Sequence, residues 1–478
     1  MASIYWYDLE TFGRNSYYDR IAQFAGLRTD DNFEPLGEPQ VFYCRLSPDY
    51  LPDPGACLLT GITPQKVNGD GMPETEFAAR ILEEFNQPGT CVAGYNSIRF
   101  DDEFIRNLLY RNFRDPYERE YKNGNSRWDI LDLMRTARDL RPEGIEWIDR
   151  ADGKPDFTLE SLAAANGIEH THAHDALSDV YATVGLAQLV YRRQPKLFRY
   201  LFKLRKKQEV WKQIDLYKRT PFLHTSGMFT SKQGCTTMVA PLTVDPVNGN
   251  CVLCYDLRYD PTPLLELPEA EIRRRIFTPD EELEVERIRI KGLHVNRAPS
   301  ISPAKTLKDA EAARLGIDLD ACRAHYRKIR DAKELNQKLR RVYSEQKRAD
   351  ASDPDLKIYS GGFFKDADRE RFTRVLSTPP AELPALRLDW EDPRIPEMLW
   401  RYIHRNYPEV MPEEEQRKWR SFCASRLLIP SAEGAMRLPE FRKQLAALRE
   451  DRDLPPRQKL IAGELETYAD ELEGRLLS

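Results

Sequence analysis

Nowhere in the chain do apolar residues run for the roughly 18 positions that a bilayer span requires. The opening Met1-Ala2-Ser3-Ile4 also lacks a basic region ahead of an apolar stretch. A chain that neither spans a membrane nor is exported is therefore expected, with a cytoplasmic location. Cysteine is sparse: eight residues among 478, scattered from Cys44 to Cys423, make no disulfide framework and suit a reducing compartment. Cys251 and Cys254 have half the spacing of a zinc site, but no second pair accompanies them. Residues three apart on a strand face opposite sides, so both are expected in the core. No sign of charge dominates, because 72 Lys and Arg meet 77 Asp and Glu for a net −5. That excludes a globally basic nucleic-acid binder and leaves a locally basic one open.

Hydrophobic residues at 41% and aromatics at 10% suffice for real cores and rule out wholesale disorder. The length suggests about three domains. Residues 1–194 carry strand patterns at Ile4 to Tyr7, Ile21 to Arg28, Val41 to Leu46 and Cys91 to Tyr95. Helical patterns follow at Glu76 to Phe85, Glu103 to Arg111, Leu159 to Asn166 and Asp175 to Arg192. Strands first, then strand–helix alternation, predict an α/β domain with a mixed sheet. Residues 195–348 hold short strand-like runs (Met238 to Leu242, Cys251 to Leu257, Ile288 to Val295) between turns, with helices near 268–275 and 319–347. A polar linker, Ala349 to Pro354, leads into a mostly helical region at 349–478, with helical stretches such as Phe441 to Arg449 and Lys459 to Leu476.

Three segments carry chemistry. In Tyr5-Trp6-Tyr7-Asp8-Leu9-Glu10-Thr11-Phe12-Gly13, a strand puts Asp8 and Glu10 on one face. Two adjacent carboxylates repel unless a cation neutralises them, and hard oxygen ligands select Mg²⁺ or Mn²⁺. The bland reading is two solvated acids at a strand end. In Asn96-Ser97-Ile98-Arg99-Phe100-Asp101-Asp102-Glu103, a strand runs into an acidic helix start. For Asp102 and Glu103, complementing the helix dipole is the preferred role. In His170-Thr171-His172-Ala173-His174-Asp175-Ala176-Leu177-Ser178-Asp179, three of seven histidines precede a long helix. A His-x-His-x-His zinc site is less favoured than a surface loop, since no cysteine lies close by.

These segments resemble the DEDDh exonucleases, nucleases of ribonuclease H-like fold with four acids and one histidine. Asp-x-Glu-Thr matches Asp8 and Glu10, and Asn-x-x-x-Phe-Asp matches Asn96 to Asp101, selecting Asp101 over Asp102. His-x-Ala-x-x-Asp matches His174, Ala176 and Asp179. A competing frame, His170 with Asp175, has the same spacing but His172 where the alanine belongs. Further runs resemble the bacterial exonuclease I family, among them Thr60-Gly61-Ile62-Thr63-Pro64, Asn125-Ser126-Arg127-Trp128-Asp129, Leu140-Arg141-Pro142-Glu143-Gly144-Ile145 and His224-Thr225-Ser226-Gly227-Met228-Phe229. The likeness spans essentially the whole chain, densest to about 230. It implies a nuclease domain, an SH3-like β-barrel domain with added helices, and a helical C-terminal domain curving round a DNA channel. The implied activity is Mg²⁺-dependent 3′→5′ hydrolysis of single-stranded DNA to 5′-mononucleotides, in DNA repair and recombination.

In that scheme Asp8, Glu10, Asp101 and Asp179 hold two Mg²⁺ ions, with Mn²⁺ able to substitute, and His174 is the general base. Thr11, Phe12, Asn96, Arg127 and Trp128 become substrate-pocket residues, core packing being an equal role for Trp128. The resemblance also implies a partner, the acidic, hydrophobic-ended tail of single-stranded DNA-binding protein. Arg141, Tyr200, Lys308 and Arg330 stand where its pocket falls, Lys308 departing from arginine. A monomer is expected. Independently, Arg192 to Arg219 holds eleven cations against two acids, a net +9, with Phe198, Tyr200, Phe202, Trp211 and Tyr217 interleaved. This is either a single-strand groove or an amphipathic helix with a solvated basic face, and both can hold. A second basic block, Arg323 to Arg348, carries ten positive against three negative charges. The rival functions are an exoribonuclease or proofreading-type nuclease, and a non-catalytic single-strand-binding scaffold.

Overall fold

The structure is a computed structural model that describes residues 3–170, 175–344, 351–429, 435–451 and 453–477. Five strands, β1 (Ser3–Thr11), β2 (Ile21–Thr29), β3 (Gln40–Tyr43), β4 (Thr90–Gly94) and β5 (Ser126–Asp129), form a sheet of order β3-β2-β1-β4-β5. The β1–β2 and β2–β3 pairs are antiparallel, while β1–β4 and β4–β5 are parallel. The sheet is therefore mixed, as expected. Its central strand β1 is apolar on both faces because both are covered. Ile4 and Trp6 join one core with Val180, Val184 and Ala187 of helix Ala176–Arg193. Tyr5, Tyr7 and Leu9 join another with Phe77 and Ile81 of helix Glu74–Phe85 and Phe104 and Leu108 of helix Asp101–Arg111.

The strand runs four residues beyond its apolar stretch. Ladder pairing continues through Asp8↔Ala25 and Glu10↔Gln23 before a bulge at Glu10/Thr11, so the two acids are strand residues and not a turn. Strand β5 and the helix Ile130–Leu140 were not anticipated. A four-residue strand containing Arg127 and Asp129 lacks an alternating signature.

A second, antiparallel sheet of order β10-β6-β7-β8-β9 is built from β6 (Phe222–Thr225), β7 (Thr236–Val244), β8 (Cys251–Asp256), β9 (Ile290–His294) and β10 (Ser300–Pro303). Every residue of β8 is buried. Cys254 packs with Val252 in one core, and Cys251 with Leu253 and Tyr255 in another, so both cysteines are core residues. The single helix expected over 319–347 is two, Leu319–Asp331 and Leu335–Ser344.

The helical C-terminal region closes onto the nuclease domain along two seams. Phe12, Tyr50 and Leu51 share a core with Trp419, Phe441 and Leu465, and Tyr110 and Phe113 share one with Phe372 and Tyr402. A buried ion network crosses between them, with Arg405 bonded to Asp49 and Asp355 at 2.7 Å each. Such pairs are costly to break singly, since the remaining charge is stranded away from water.

Candidate active site and channel

Asp8 and Glu10 project from β1 toward helix Ala176–Arg193, whose first turn carries Asp179. Carboxylate oxygens of Asp8, Glu10 and Asp179 lie within 4.8 Å of one another. Asp101 begins its helix just after β4. It stands outside the three that approach within 4.8 Å, and at Gly94, which ends β4, a Cβ would meet the Tyr7 carbonyl oxygen at 2.8 Å. Burial raises all three strand- and loop-borne acids. Asp8 rises well above the carboxylate range, with Asp101 and Asp179 adding repulsion. Glu10 rises to about 9, burial acting first and Asp8 next. Asp101 rises well above its ordinary value through burial, then through Asp102, Asp129 and Glu10.

Asp102 is the contrast. It accepts from Tyr7 Oη at 2.9 Å, Arg119 Nη2 at 2.6 Å and Arg127 Nη1 at 2.8 Å, and these arginines hold its carboxyl below the usual range despite burial. It is an ion-paired buttress under the site, not a solvated first-turn acid. Glu103 likewise pairs with Arg106 and Arg297. Burial acts first on Asp8, Glu10 and Asp101, and fellow acids add to it. A converging set of hard oxygen donors fits a divalent ion of the Mg²⁺ class.

Asp175 caps the helix, accepting from the backbone N–H groups of Leu177 and Ser178. A capping carboxylate is committed to its own helix, which separates it from the metal cluster and favours the Asp179 frame. His174 and His172 lie outside the described residues. His170, the residue of the competing frame, places Nε2 2.5 Å from Asp179 Oδ1.

The expected substrate residues divide. Asn96 stands at the mouth in a left-handed conformation (φ 61°), its N–H held by Asp129 Oδ1 at 2.9 Å. Thr11 is buried beside Glu10 and donates to the Gly13 carbonyl. Phe12 and Arg127 are corrections, and Trp128 takes the core role that was weighed beside a substrate one. Phe12 is core. Arg127 is 3% exposed and committed to Asp102 and Glu120. Trp128, 2% exposed, packs edge-on against Phe198 and Phe202 at 5.0 Å each. All three have no surface left for substrate. Asp129 was missed as the anchor of the Asn96 turn, since a short polar strand gives it no distinguishing context. Of the partner residues, Lys308 and Arg330 are exposed and Arg141 and Tyr200 half-buried. Among the described residues no hydrogen bond or ion pair joins any two of them, and Arg330 pairs with Asp331.

A channel of about 1940 Å³ runs between the domains, lined by Arg99 and Arg106 from the first, Lys206, Lys207 and Arg297 from the second, and Tyr359, Phe363 and Arg369 from the third. In the basic segment, Phe198 is core and Phe202 packs partly buried against it, while Tyr217 is 95% exposed. Arg205 lies over the Phe202 ring at 3.7 Å.

Three family models match: Exonuclease over residues 5–187, Exonuclease I SH3-like domain over 205–345 and Exonuclease I C-terminal domain over 352–472. The chain is 46% identical over 415 residues to exodeoxyribonuclease I of Escherichia coli K12, covering 86% of this chain and 87% of that one. Its fold is similar to the exonuclease I of Methylocaldum szegediense, at a TM-score of 0.94, 45% identity and coverage of 99% and 100%. It is similar also to a zinc-bound E. coli ExoI–ssDNA complex (TM-score 0.93, 41%, 99% of each chain) and to an ExoI/SSB-Ct complex (0.92, 41%, 99% of each). The fold and the carboxylate cluster thus define a nuclease whose catalytic domain is ribonuclease H-like, with SH3-like and C-terminal domains attached. It is a hydrolase. Within that class the chain belongs to the exonuclease I family.

Proposed function

We propose that the protein degrades single-stranded DNA from the 3′ end to nucleoside 5′-monophosphates, in the cytoplasm, in DNA repair and recombination. The observation that carries this is the close set of carboxylates on β1 and the helix beside it, in a domain that shares with two others a channel of cations and exposed aromatics. Asp8, Glu10, Asp101 and Asp179 would hold two Mg²⁺ ions, which supply charge stabilisation for the attacking and leaving oxygens of an in-line displacement. His174 accepts the proton of the attacking water. Asn96 and Thr11 border the terminal nucleotide. Lys206, Lys207 and Arg297 neutralise phosphates, while Phe363, 76% exposed, and Tyr121, 66% exposed, offer ring faces to bases. Domain limits near 194 and 348 then place one wall of the channel in each domain. The solved relative bound to ssDNA supports the substrate.

The test is incubation with end-labelled single- and double-stranded DNA and matched RNA, with and without EDTA. Progressive shortening of 5′-labelled single-stranded DNA, abolished by EDTA, is expected. Equal cleavage of RNA, or cleavage in EDTA, would overturn the assignment.

We further propose that the tail of single-stranded DNA-binding protein docks at Arg141, Tyr200, Lys308 and Arg330, supported by the relative in complex with SSB-Ct. A guanidinium fork suits a terminal carboxylate. Arg330→Ala should weaken binding of an acidic, hydrophobic-ended peptide by calorimetry, and equal affinity would remove Arg330 from the site.

A further inference from the structure

A second cavity, about 370 Å³, opens off the channel wall where the nuclease domain meets the C-terminal domain. Asp115, Tyr117, Phe363 and Arg369 line both spaces, so the cavity is a side chamber entered across a shared lip. The lip rings Tyr117 and Phe363 meet edge-on at 5.9 Å. Inside, Phe113 and Phe364 pack on Phe372 at 4.9 and 5.1 Å. The chamber is of small-ligand size and has an aromatic floor.

One polar group in it lacks its counterpart. The neighbouring buried arginines all have acids: Arg106 has Glu120 at 2.8 Å, Arg111 has Glu74 at 2.6 Å and Arg119 has Asp102 at 2.6 Å. Arg114 lines the chamber and has no ion-pair partner among the described residues. Among the described residues its guanidinium makes one hydrogen bond, a long 3.4 Å contact from Nη2 to the Thr75 carbonyl, and its Nε is buried without an acceptor. Burial also lowers its affinity for its proton, and the carboxylates that share the chamber, Asp115 and Glu118, form no ion pair with it among the described residues. A guanidinium withdrawn from water without an anion is costly, and an anion in the chamber would compensate it. Arg369 is half-free for the same ligand, since its pair with Asp115 is stretched to 3.7 Å and it is exposed.

We propose that this chamber binds a planar aromatic anion of mononucleotide size, its ring on the Phe113/Phe364/Phe372 floor and its anionic oxygens on Arg114. The nucleoside 5′-monophosphate released by the reaction is the member of that class formed in the adjoining channel. The identity of that ligand rests on the proposed exonuclease reading, whereas the existence of an aromatic-anion site does not. An occupied chamber engages Tyr117 and Phe363, which also face the strand, so product would act on the channel at a distance from the carboxylates.

The test is calorimetric titration of the full chain with dAMP in EDTA, where the carboxylate cluster holds no metal to recruit phosphate. Wild type should bind dAMP at least tenfold more tightly than deoxyadenosine. Arg114→Met, which keeps the stem and removes the charge, and Thr373→Trp, which fills the chamber from its wall, should each weaken dAMP at least tenfold. Both should unfold within a few degrees of wild type and shorten single-stranded DNA within twofold of its rate. Equal dAMP affinity in all three proteins, or no binding at millimolar dAMP, would overturn the proposal. So would a silent dAMP titration with a Thr373→Trp defect in oligonucleotide binding, which would assign the chamber to an unstacked base of the bound strand. Because no turnover is read in the titration, a protein that binds dAMP as expected yet fails the nuclease assay leaves the site standing and removes only the reaction as its source.

Discussion

Glu10 shows how burial among fellow acids acts on a single side chain. Its carboxyl titrates near 9 in the folded chain against an ordinary 4.5. Between those values the folded protein keeps a proton that the unfolded chain has released. Stability of the metal-free protein is therefore fullest below about 4.5 and falls as pH rises through about 9, with Asp8 and Asp101 shifted the same way. Thermal unfolding in EDTA should show this decline, and Glu10→Gln should flatten it, raising the midpoint at pH 8 by a few degrees while abolishing nuclease activity. A flat wild-type profile would mean that the acids are neutralised from within the protein. Arg127 makes the opposite case, because it looks like a substrate residue and is a structural one. Arg127→Ala leaves Asp102 and Glu120 short of a buried cation, so a loss of about 3–5 kcal/mol in denaturant unfolding is expected. The surviving folded protein should keep its KM for single-stranded DNA. A raised KM at unchanged stability would return Arg127 to the substrate pocket.

At the level of elements, the site is an intersection. One strand with period-two alternation presents Asp8 and Glu10 on the same face, and one helix crosses that face because Val180 and Val184 bury against Ile4 and Trp6. The cap at Asp175 fixes where that helix starts, and so fixes Asp179 one turn in. We propose that His174→Ala retains metal and DNA binding and loses about 10²–10⁴-fold in kcat, the usual worth of a general base, while His172→Ala stays near wild type. His170 touches Asp179, and partners behind a metal ligand are commonly worth 10–100-fold in metal affinity. His170→Ala should raise the Mg²⁺ concentration giving half-maximal rate. A loss in kcat alone for His170→Ala, with His174→Ala near wild type, would reinstate the His170/Asp175 frame.

The channel belongs to the whole molecule, since residues of all three regions line it. Some of its basic residues are paired within the fold: Arg106 and Arg297 both bond Glu103, while Lys207 donates to the neutral Asn250. The net charge of −5 therefore coexists with a local phosphate path. Arg205, Lys206 and Lys207 all line that path, but Arg205 is partly committed to Phe202 and Ser126. Each lost phosphate contact on a single strand reduces the slope of log affinity against log salt by about 0.7. Reversing Lys206 and Lys207 to Glu should flatten that slope by about 1.4 or more in fluorescence anisotropy. An unchanged slope would make the segment a solvated face.

The sequence alone determined what is local: strand alternation put Asp8 and Glu10 on one face, and the mixed sheet and the core roles of Cys251 and Cys254 were legible in the same way. Asp101 and Asp179 were singled out instead by the resemblance of their segments to family motifs. The tertiary structure decided everything that depends on residues far apart in the chain. Asp101 and Asp102 are adjacent acids in one helical turn, and only the approach of Arg119 and Arg127 makes one a buttress and leaves the other to the cluster. Trp128 and Phe12 carry the residue types of a stacking platform, but cores built with Phe198 and Trp419 bury them. Phe363, 246 positions from Tyr117, reaches the channel lip through the packing of the C-terminal domain. Burial and ion pairing are set by which surfaces meet, and local sequence does not encode that meeting.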